Sequence, residues 1–121
     1  MDLRHQKAQG MNWIRREKRL AIYIRDGVRC VYCRMGPRDG RRLSLDHREP
    51  YSTGGTTDHT NLITCCLNCN GARNNRPLER WATTAVRQRV ERLLGKPIHV
   101  GEAKQAMAKH GGFSQAVAAL A

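Results

Sequence analysis

Aromatic residues are scarce in this chain of 121 residues, where Phe, Trp and Tyr together make up 5%. A chain of this length is expected to form one domain with a small core. With so few aromatic rings, that core needs reinforcement, which small domains obtain from a bound metal ion or from disulfide bonds. The composition therefore predicts a single small domain that depends on more than hydrophobic contacts.

Long apolar segments are missing as well. No run of about 18 apolar residues is present, which argues against a transmembrane helix. Residues 1–11 are mostly polar and lack the apolar segment of a secretory signal. These absences predict a protein of the reducing cytoplasm. In that compartment five cysteines favour metal binding over disulfide formation.

Acidic residues are few, since 10 Asp and Glu stand against 22 Lys and Arg, for a net charge of +12. Such a charge attracts polyanions. Nucleic acid is the leading candidate, because neutralised phosphates release counterions. An anionic membrane surface and a merely soluble basic protein are the alternatives. Arginine far outnumbers lysine, which favours nucleic acid because the planar guanidinium binds phosphate at two points.

Periodicity predicts one domain, residues 1–121, with a central region and two helical arms. The central region, about 28–77, contains a short strand at 42–47 and a helix over 67–75. The C-terminal arm, about 78–121, begins with a helix that is predicted to run to Leu94. Its alanine-rich end is predicted to be partly helical, with an interruption at Gly111–Gly112.

The N-terminal arm is an amphipathic helix predicted over residues 13–26 and ended by Gly27. Apolar residues recur on one face of this helix, and arginines occupy the rest. Its charge predicts contacts with a nucleic-acid backbone, for which Arg15 and Arg19 are the candidates. Such contacts position a duplex without reading its sequence. A solvated helix face is the simpler alternative.

Four of the cysteines form two CxxC pairs, Cys30 with Cys33 and Cys66 with Cys69. Four thiolates suit a tetrahedral zinc ion, which can contribute on the order of 10 kcal/mol to folding. A redox CxxC or a chance spacing is the alternative. Cys65 has no partner in this pattern. It is predicted to be a small buried residue beside the ligands, although it could compete for the metal.

A second set of polar residues lies between or beside the two pairs: Asp46, His47, Asn61 and Asn70. Together with the CxxC pairs, this order of residues resembles the HNH endonucleases that carry paired zinc knuckles, over about 20–77. The segments that carry the resemblance are Arg25–Cys33, Leu45–Pro50, Gly54–Gly55, Asn61–Thr64 and Cys66–Asn70.

The resemblance implies an α+β fold with a ββα-metal core, stapled by the four-cysteine zinc site and flanked by helices. A first strand would deliver Asp46 and His47, an extended loop would follow, and a second strand would lead into a helix that carries Asn70. By the same resemblance, Asn61 holds the loop and orients His47 through the backbone, without touching metal.

The chemistry of these side chains suggests which of them is the base and which bind metal. His47, with an ordinary pKa near 6.5, suits a general base. Neighbouring residues of a strand point to opposite faces, so Asp46 would bind metal while His47 faces water. With Asn70 as a second ligand, the oxygen donors favour Mg²⁺ or Mn²⁺. Histidine is frequent in this family at the position of Asn70, which leaves the preferred catalytic metal open.

Two further arginines flank this set. Arg73 follows Asn70 by three residues and is predicted to share its helix face. It is a candidate phosphate ligand, and Arg48 is a weaker one.

Each member of the set also has an ordinary interpretation. His47 alone could be a surface or capping histidine, Asp46 a turn residue and Asn61 a helix cap. Together they favour an enzyme that nicks or cuts DNA with Mg²⁺ or Mn²⁺. A non-catalytic zinc module that binds nucleic acid is the main alternative. A redox or metal-sensing protein would leave the His and Asn positions without a role.

The expected setting is a bacterial or phage-infected cell, because small members of the family occur in bacteria and bacteriophages. Phage DNA packaging or other DNA-processing machinery is a candidate partner by analogy alone.

Overall fold

A computed structural model of the protein describes residues 13–121. Within that range the chain forms six α-helices and one two-stranded sheet. No helix in that range is long and apolar enough to cross a membrane. The elements are α1 (Arg16–Arg25), β1 (Leu43–His47), β2 (Leu62–Cys66), α2 (Leu67–Arg73), α3 (Leu78–Trp81), α4 (Thr84–Leu94), α5 (Val100–His110) and α6 (Phe113–Leu120).

The two strands are antiparallel, and their register pairs Leu45 with Thr64 and His47 with Leu62. Side chains alternate between the faces of a strand. His47 and Leu45 therefore share one face, and Asp46 lies on the other beside its partner Ile63. The strand pattern predicted this separation of Asp46 from His47, and the register reproduces it.

Each face of the sheet covers its own apolar cluster. The first lies between the sheet, α1 and the C-terminal helices, and is built mainly from Leu20, Ala21, Ile22, Tyr23, Leu45, Leu62, Ala103 and Ala116. The second lies between the sheet, the first CxxC loop and α3–α4, and is built from Cys30, Val31, Tyr32, Ile63, Cys65, Cys66, Leu78, Val90 and Leu94. The two small clusters replace one large core, as expected for a domain this size.

Strand β2, helix α2 and strand β1 together form the small ββα unit that the sequence predicted, with a four-cysteine group at its edge. The α+β assignment is confirmed. The segment 61–64, predicted only as a short apolar stretch, is most of β2, and the predicted helix at 67–75 ends at Arg73.

The helix predicted over residues 78–94 is wrong as a single element. The chain leaves the helix after Trp81, and Thr83 is extended with φ −66° and ψ 163°. The Thr83 hydroxyl accepts a hydrogen bond from the Val86 N–H at 3.2 Å, which is the contact of a helix N-cap. Hydrophobic periodicity continues across the break because α3 and α4 both pack on the second cluster.

A buried ion pair connects α1 to the sheet. The Arg25 guanidinium donates from Nε and Nη2 to Asp26 at 2.8 and 3.2 Å, and the two side chains are 1% and 0% exposed. The Asp26 carboxylate also accepts the Thr64 N–H at 2.8 Å, while Arg25 donates to the carbonyls of His59 and Leu62. Every charge of the pair is thereby compensated inside the protein.

We expect Asp26→Asn to lower the free energy of unfolding by about 3 kcal/mol, because it leaves the buried Arg25 guanidinium without its counter-charge. Urea denaturation measures the change. The matched control is Glu17→Gln, which removes the same charge from the pair with Arg15, whose side chain is 88% exposed. That change should cost less than about 1 kcal/mol. Equal losses in the two variants would contradict the structural role of Asp26.

Candidate functional site

The two CxxC pairs meet in space. The Sγ atoms of Cys30, Cys33, Cys66 and Cys69 all lie within 4.8 Å of one another, and those of Cys33 and Cys66 are 3.8 Å apart. Sulfurs bound to a tetrahedral zinc ion at about 2.3 Å are separated by about 3.8 Å. The four cysteines are thus positioned to bind a metal ion, and their spacing is compatible with zinc.

Backbone N–H groups support this group of sulfurs in the same way in both pairs. The Cys33 N–H points to Cys30 Sγ at 3.5 Å, and the Cys69 N–H points to Cys66 Sγ at 3.4 Å. Cys66 is also the N-cap of α2. The first turn of α2 and the metal site therefore depend on the same sulfur atom.

The pKa values of the four cysteine thiols are shifted by burial and by their neighbours. Burial raises the pKa of Cys30, and burial together with the charge of Cys30 raises that of Cys69. Burial also acts to raise the pKa of Cys66, but hydrogen bonds from Cys69 outweigh it and lower the value. Four close thiolates repel one another, and a divalent ion supplies the charge that lets all four lose their protons.

Cys65 is not one of these four candidate ligands, although it packs in the same apolar cluster as Cys30 and Cys66. It is completely buried in the second apolar cluster, and adjacent strand residues point to opposite faces, so its thiol leaves β2 away from Cys66. Burial raises its pKa well above the ordinary value. The predicted burial of Cys65 is confirmed, and its sulfur is not part of the four-cysteine group.

We expect Cys66→Ser to lose bound zinc and to unfold the central region, because it removes one of four ligands and changes the cap of α2. Metal analysis of the purified protein and circular dichroism measure the two effects. Cys65→Ala is the matched control and should keep its zinc. A Cys66→Ser protein that stays folded and zinc-loaded would contradict the ligand assignment.

A second site lies where β1 ends beside α2. A cavity of about 260 Å³ opens there, and Asp46, His47 and Asn70 all line it. Its other walls are Trp13, Ser44, Leu45, Pro50, Tyr51, Ser52, Gly71, Asn74 and Asn75. Three of the four residues singled out from the sequence are therefore brought together, although Asp46 and His47 leave β1 on opposite faces.

The two oxygens of the Asp46 carboxylate differ in their surroundings. Oδ2 accepts hydrogen bonds from the Tyr32 hydroxyl at 2.6 Å and from Arg73 Nη1 at 2.9 Å. Oδ1 forms no hydrogen bond with any residue of the range 13–121. Hydrogen bonds within the protein therefore fix Oδ2, while Oδ1 remains available to a ligand. With the Asn70 amide on the same cavity, the donors fit a small hard cation such as Mg²⁺.

Arg73 has a different place from the one predicted for it. Its side chain is completely buried, and it donates to Asp46, to the Tyr32 hydroxyl and to the carbonyls of His47, Arg48 and Arg76 at 2.7–3.1 Å. The prediction that Arg73 binds phosphate is therefore corrected. It braces the end of β1 against α2, a role that helical spacing alone does not distinguish from an exposed one.

His47 lies against two aromatic rings. The imidazole stacks on Trp13 with centroids 5.1 Å apart and meets the edge of Tyr51 at 5.7 Å. Burial lowers the pKa of His47, and although Asp46 acts to raise it, Arg73 adds to the lowering. Its Nε2 atom is buried and forms no hydrogen bond with the described residues. The lowered pKa favours the neutral imidazole, and the two aromatic contacts fix its orientation.

Asn61 closes the loop that follows β1. Its Oδ1 accepts the Glu49 N–H at 2.9 Å, and its Nδ2 donates to the carbonyls of Glu49 and Thr56 at 3.2 and 2.9 Å. Gly55 lies under this contact, where a Cβ atom would approach the Glu49 carbonyl oxygen to 1.9 Å. Asn61 does not line the cavity, and this geometry is what a loop-holding residue requires.

Residues 30–76 match a family model described as HNH endonuclease. This part of the chain is therefore similar to the HNH family. The matched residues include both CxxC pairs and the four polar residues Asp46, His47, Asn61 and Asn70. No curated protein and no solved structure matches the chain.

The other three arginines that the sequence predicted to contact nucleic acid differ in their exposure. Arg19 is buried in α1, with its guanidinium 5.7 Å from the centre of the Trp13 ring, so the prediction that it contacts a nucleic-acid backbone is corrected. Arg48 is partly exposed and paired with Glu79 and Glu91. Arg15 is exposed. Sequence reasoning did not predict the contact of Trp13 with His47, because it assigned Trp13 only to the apolar face of the helix predicted over residues 13–26, whereas α1 begins at Arg16.

Proposed function

We propose that this HNH protein is a metal-dependent endonuclease that hydrolyses phosphodiester bonds of DNA by nicking or cutting. The observation that carries the proposal is the shared cavity of Asp46, His47 and Asn70 inside the HNH domain. Two oxygen donors and a neutral imidazole in one open cavity can serve a hydrolysis that needs a cation and a base.

His47 is the general base of this proposal. Its imidazole, whose pKa burial lowers, takes a proton from the attacking water. Trp13 and Tyr51 hold the ring in place, so no rotamer freedom is lost when substrate binds. Asn61 acts at a distance as a positioning residue, because it fixes the loop that begins at the end of β1.

Asp46 Oδ1 and the amide oxygen of Asn70 would hold Mg²⁺ or Mn²⁺. Bound there, the ion supplies positive charge to the phosphate and to the departing oxygen. Arg73 and Tyr32 orient the Asp46 carboxylate through hydrogen bonds to Oδ2. Zinc bound by the four cysteines would have a structural role, since four thiolates would fill its tetrahedral coordination.

The proposed partner is DNA, which the net charge of +12 favours. The proposed setting is the cytoplasm of a bacterial or phage-infected cell, with DNA packaging or another DNA-processing machinery as a partner by analogy alone. The proposed organisation is one nuclease domain over residues 1–121, in which both helical arms support the central region.

A second candidate function is a zinc module that binds nucleic acid without cutting it. The observation in its favour is that Trp13 and Tyr51 contact His47, which limits the approach of water to the imidazole. Such a module would bind DNA and leave it intact under all metal conditions.

We expect the protein to nick supercoiled plasmid when Mg²⁺ or Mn²⁺ is present, and a chelator to protect the plasmid. His47→Ala should lower the rate by about 100-fold or more, since it removes the base. Gel electrophoresis of the plasmid follows the reaction. Zinc content and DNA binding should not change.

The matched control is His59→Ala. His59 lies in the same loop region but does not line the cavity, and its ring is paired with Asp58. This variant should cut at the normal rate. If His47→Ala cuts as fast as His59→Ala, the mechanism is wrong, and if the unaltered protein binds plasmid but never nicks it, the non-catalytic module is correct.

We expect Asn70→Ala to raise the Mg²⁺ concentration needed for half-maximal cutting by about tenfold, because it removes one of two protein ligands. Asn75→Ala is the control, since Asn75 lines the same cavity from a position beyond α2. A titration of Mg²⁺ against nicking rate compares the two. An unchanged Mg²⁺ requirement in Asn70→Ala would remove Asn70 from the ligand set.

A further inference from the structure

A second cavity, of about 330 Å³, lies at the junction of three segments: the end of α1, the first CxxC loop and the end of α4. It shares no lining residue with the cavity beside His47. Its walls are strongly basic. The cations that line it are Arg25, Arg29, Arg34, Arg89, Arg92 and Lys96.

Most of this positive charge is not compensated inside the protein. Asp26 is the one acidic residue on the wall, and Arg25 already neutralises it through two hydrogen bonds. Arg89 donates to the Val31 carbonyl at 2.7 Å, which orients the guanidinium without cancelling its charge. Within residues 13–121, the cavity's cations other than Arg25 form no ion pair.

Six cationic side chains line the cavity. Asp26 neutralises Arg25, so five uncompensated positive charges remain around it. Like charges repel, so the arrangement costs free energy unless an anion is bound. The acidic residue of α4, Glu91, lies against Arg48 on another side of the helix. Helix α4 therefore presents Arg89 and Arg92 to the cavity, with no carboxylate of the same helix beside them.

The backbone under these cations is well fixed. Arg29 and Arg34 flank the first CxxC pair, whose sulfurs meet those of the second pair. Arg34 is held in the left-handed region with φ +69°, and its N–H donates to the Cys30 carbonyl at 2.9 Å. Val90 anchors α4 in the second apolar cluster. Binding an anion there orders side chains but not backbone, which keeps the entropic cost low.

We propose that this basic cavity binds the phosphate backbone of duplex DNA at a distance from the bond that is cut. The cations are mostly arginines, whose guanidinium groups bind phosphate at two points. They are spread over three segments and largely exposed, which suits a run of phosphates along a strand better than one small anion. The proposal rests on the proposed DNA endonuclease function for the choice of polyanion.

The test compares two double variants that each remove two positive charges. Arg92→Ala/Lys96→Ala alters the cavity, and Lys104→Ala/Lys109→Ala alters exposed lysines of α5 that do not line it. Affinity for a duplex oligonucleotide is measured by fluorescence anisotropy over a series of salt concentrations, with zinc bound and no other divalent ion. Zinc content and thermal unfolding show that both variants are folded.

Loss of two phosphate contacts should reduce the slope of log K against log salt by about 1.8, since each contact contributes about 0.9. If the two proteins bind equally at ~1 M salt, a slope difference of about 1.8 corresponds to a loss of affinity of about 30-fold at ~0.15 M salt. The lysine control should keep the slope of the unaltered protein. If the two double variants lose affinity equally, or if the slope does not change in the cavity variant, the proposal is overturned.

The plasmid assay separates this inference from the proposed activity. A protein that binds DNA through the cavity but never nicks plasmid would overturn the endonuclease function and leave the cavity assignment standing. A protein that nicks plasmid, and whose cavity variant binds the duplex like the lysine control, would overturn only the cavity assignment.

Discussion

The meeting of the four cysteine sulfurs is the contact on which the rest of the structure depends. It joins the loop after α1 to the junction of β2 and α2, and its members Cys33 and Cys66 are 33 positions apart. Cys66 is both a candidate ligand and the N-cap of α2, so the same sulfur takes part in the metal site and in the first turn of the helix. Asn70 lies one turn further along. With on the order of 10 kcal/mol available from structural zinc, two small apolar clusters are enough to complete the fold.

Buried hydrogen bonds from Arg73 and Tyr32 orient Asp46 at the candidate site. Arg73 and Tyr32 approach Asp46 from behind and bind a single carboxylate oxygen, which leaves the other toward the cavity. Tyr32 belongs to the first CxxC loop and Arg73 to the end of α2. The orientation of Asp46 therefore depends on both segments that the cysteines bring together. Removing the metal would disturb the candidate catalytic residues even though none of them is a cysteine.

The arginines differ in their exposure in a way that composition does not show. Arg19, Arg25 and Arg73 are buried, where they pair with Asp26 and Asp46 or pack against Trp13. Others line the open cavity between α1, the first CxxC loop and α4 without a neighbouring carboxylate. The buried arginines cannot contact a polyanion directly, whereas the exposed arginines of this cavity can. The net charge of +12 thus overstates how many cations are free to meet DNA.

The sequence by itself determined the four-cysteine group, the strand that carries Asp46 and His47, and the helix that carries Asn70. These features follow from ligand chemistry and from local periodicity, both of which are properties of short segments. The tertiary structure decided that Arg73 is buried, that Trp13 stacks on His47, and that the helix predicted over 78–94 breaks at Thr83. Each of these depends on residues far apart in the chain or on a local cap that competes with apolar spacing. Helical spacing shows that Arg73 and Asn70 share a face of the helix. It does not show whether that face lies in solvent or packs against β1, so it fits a buried Arg73 as well as an exposed one.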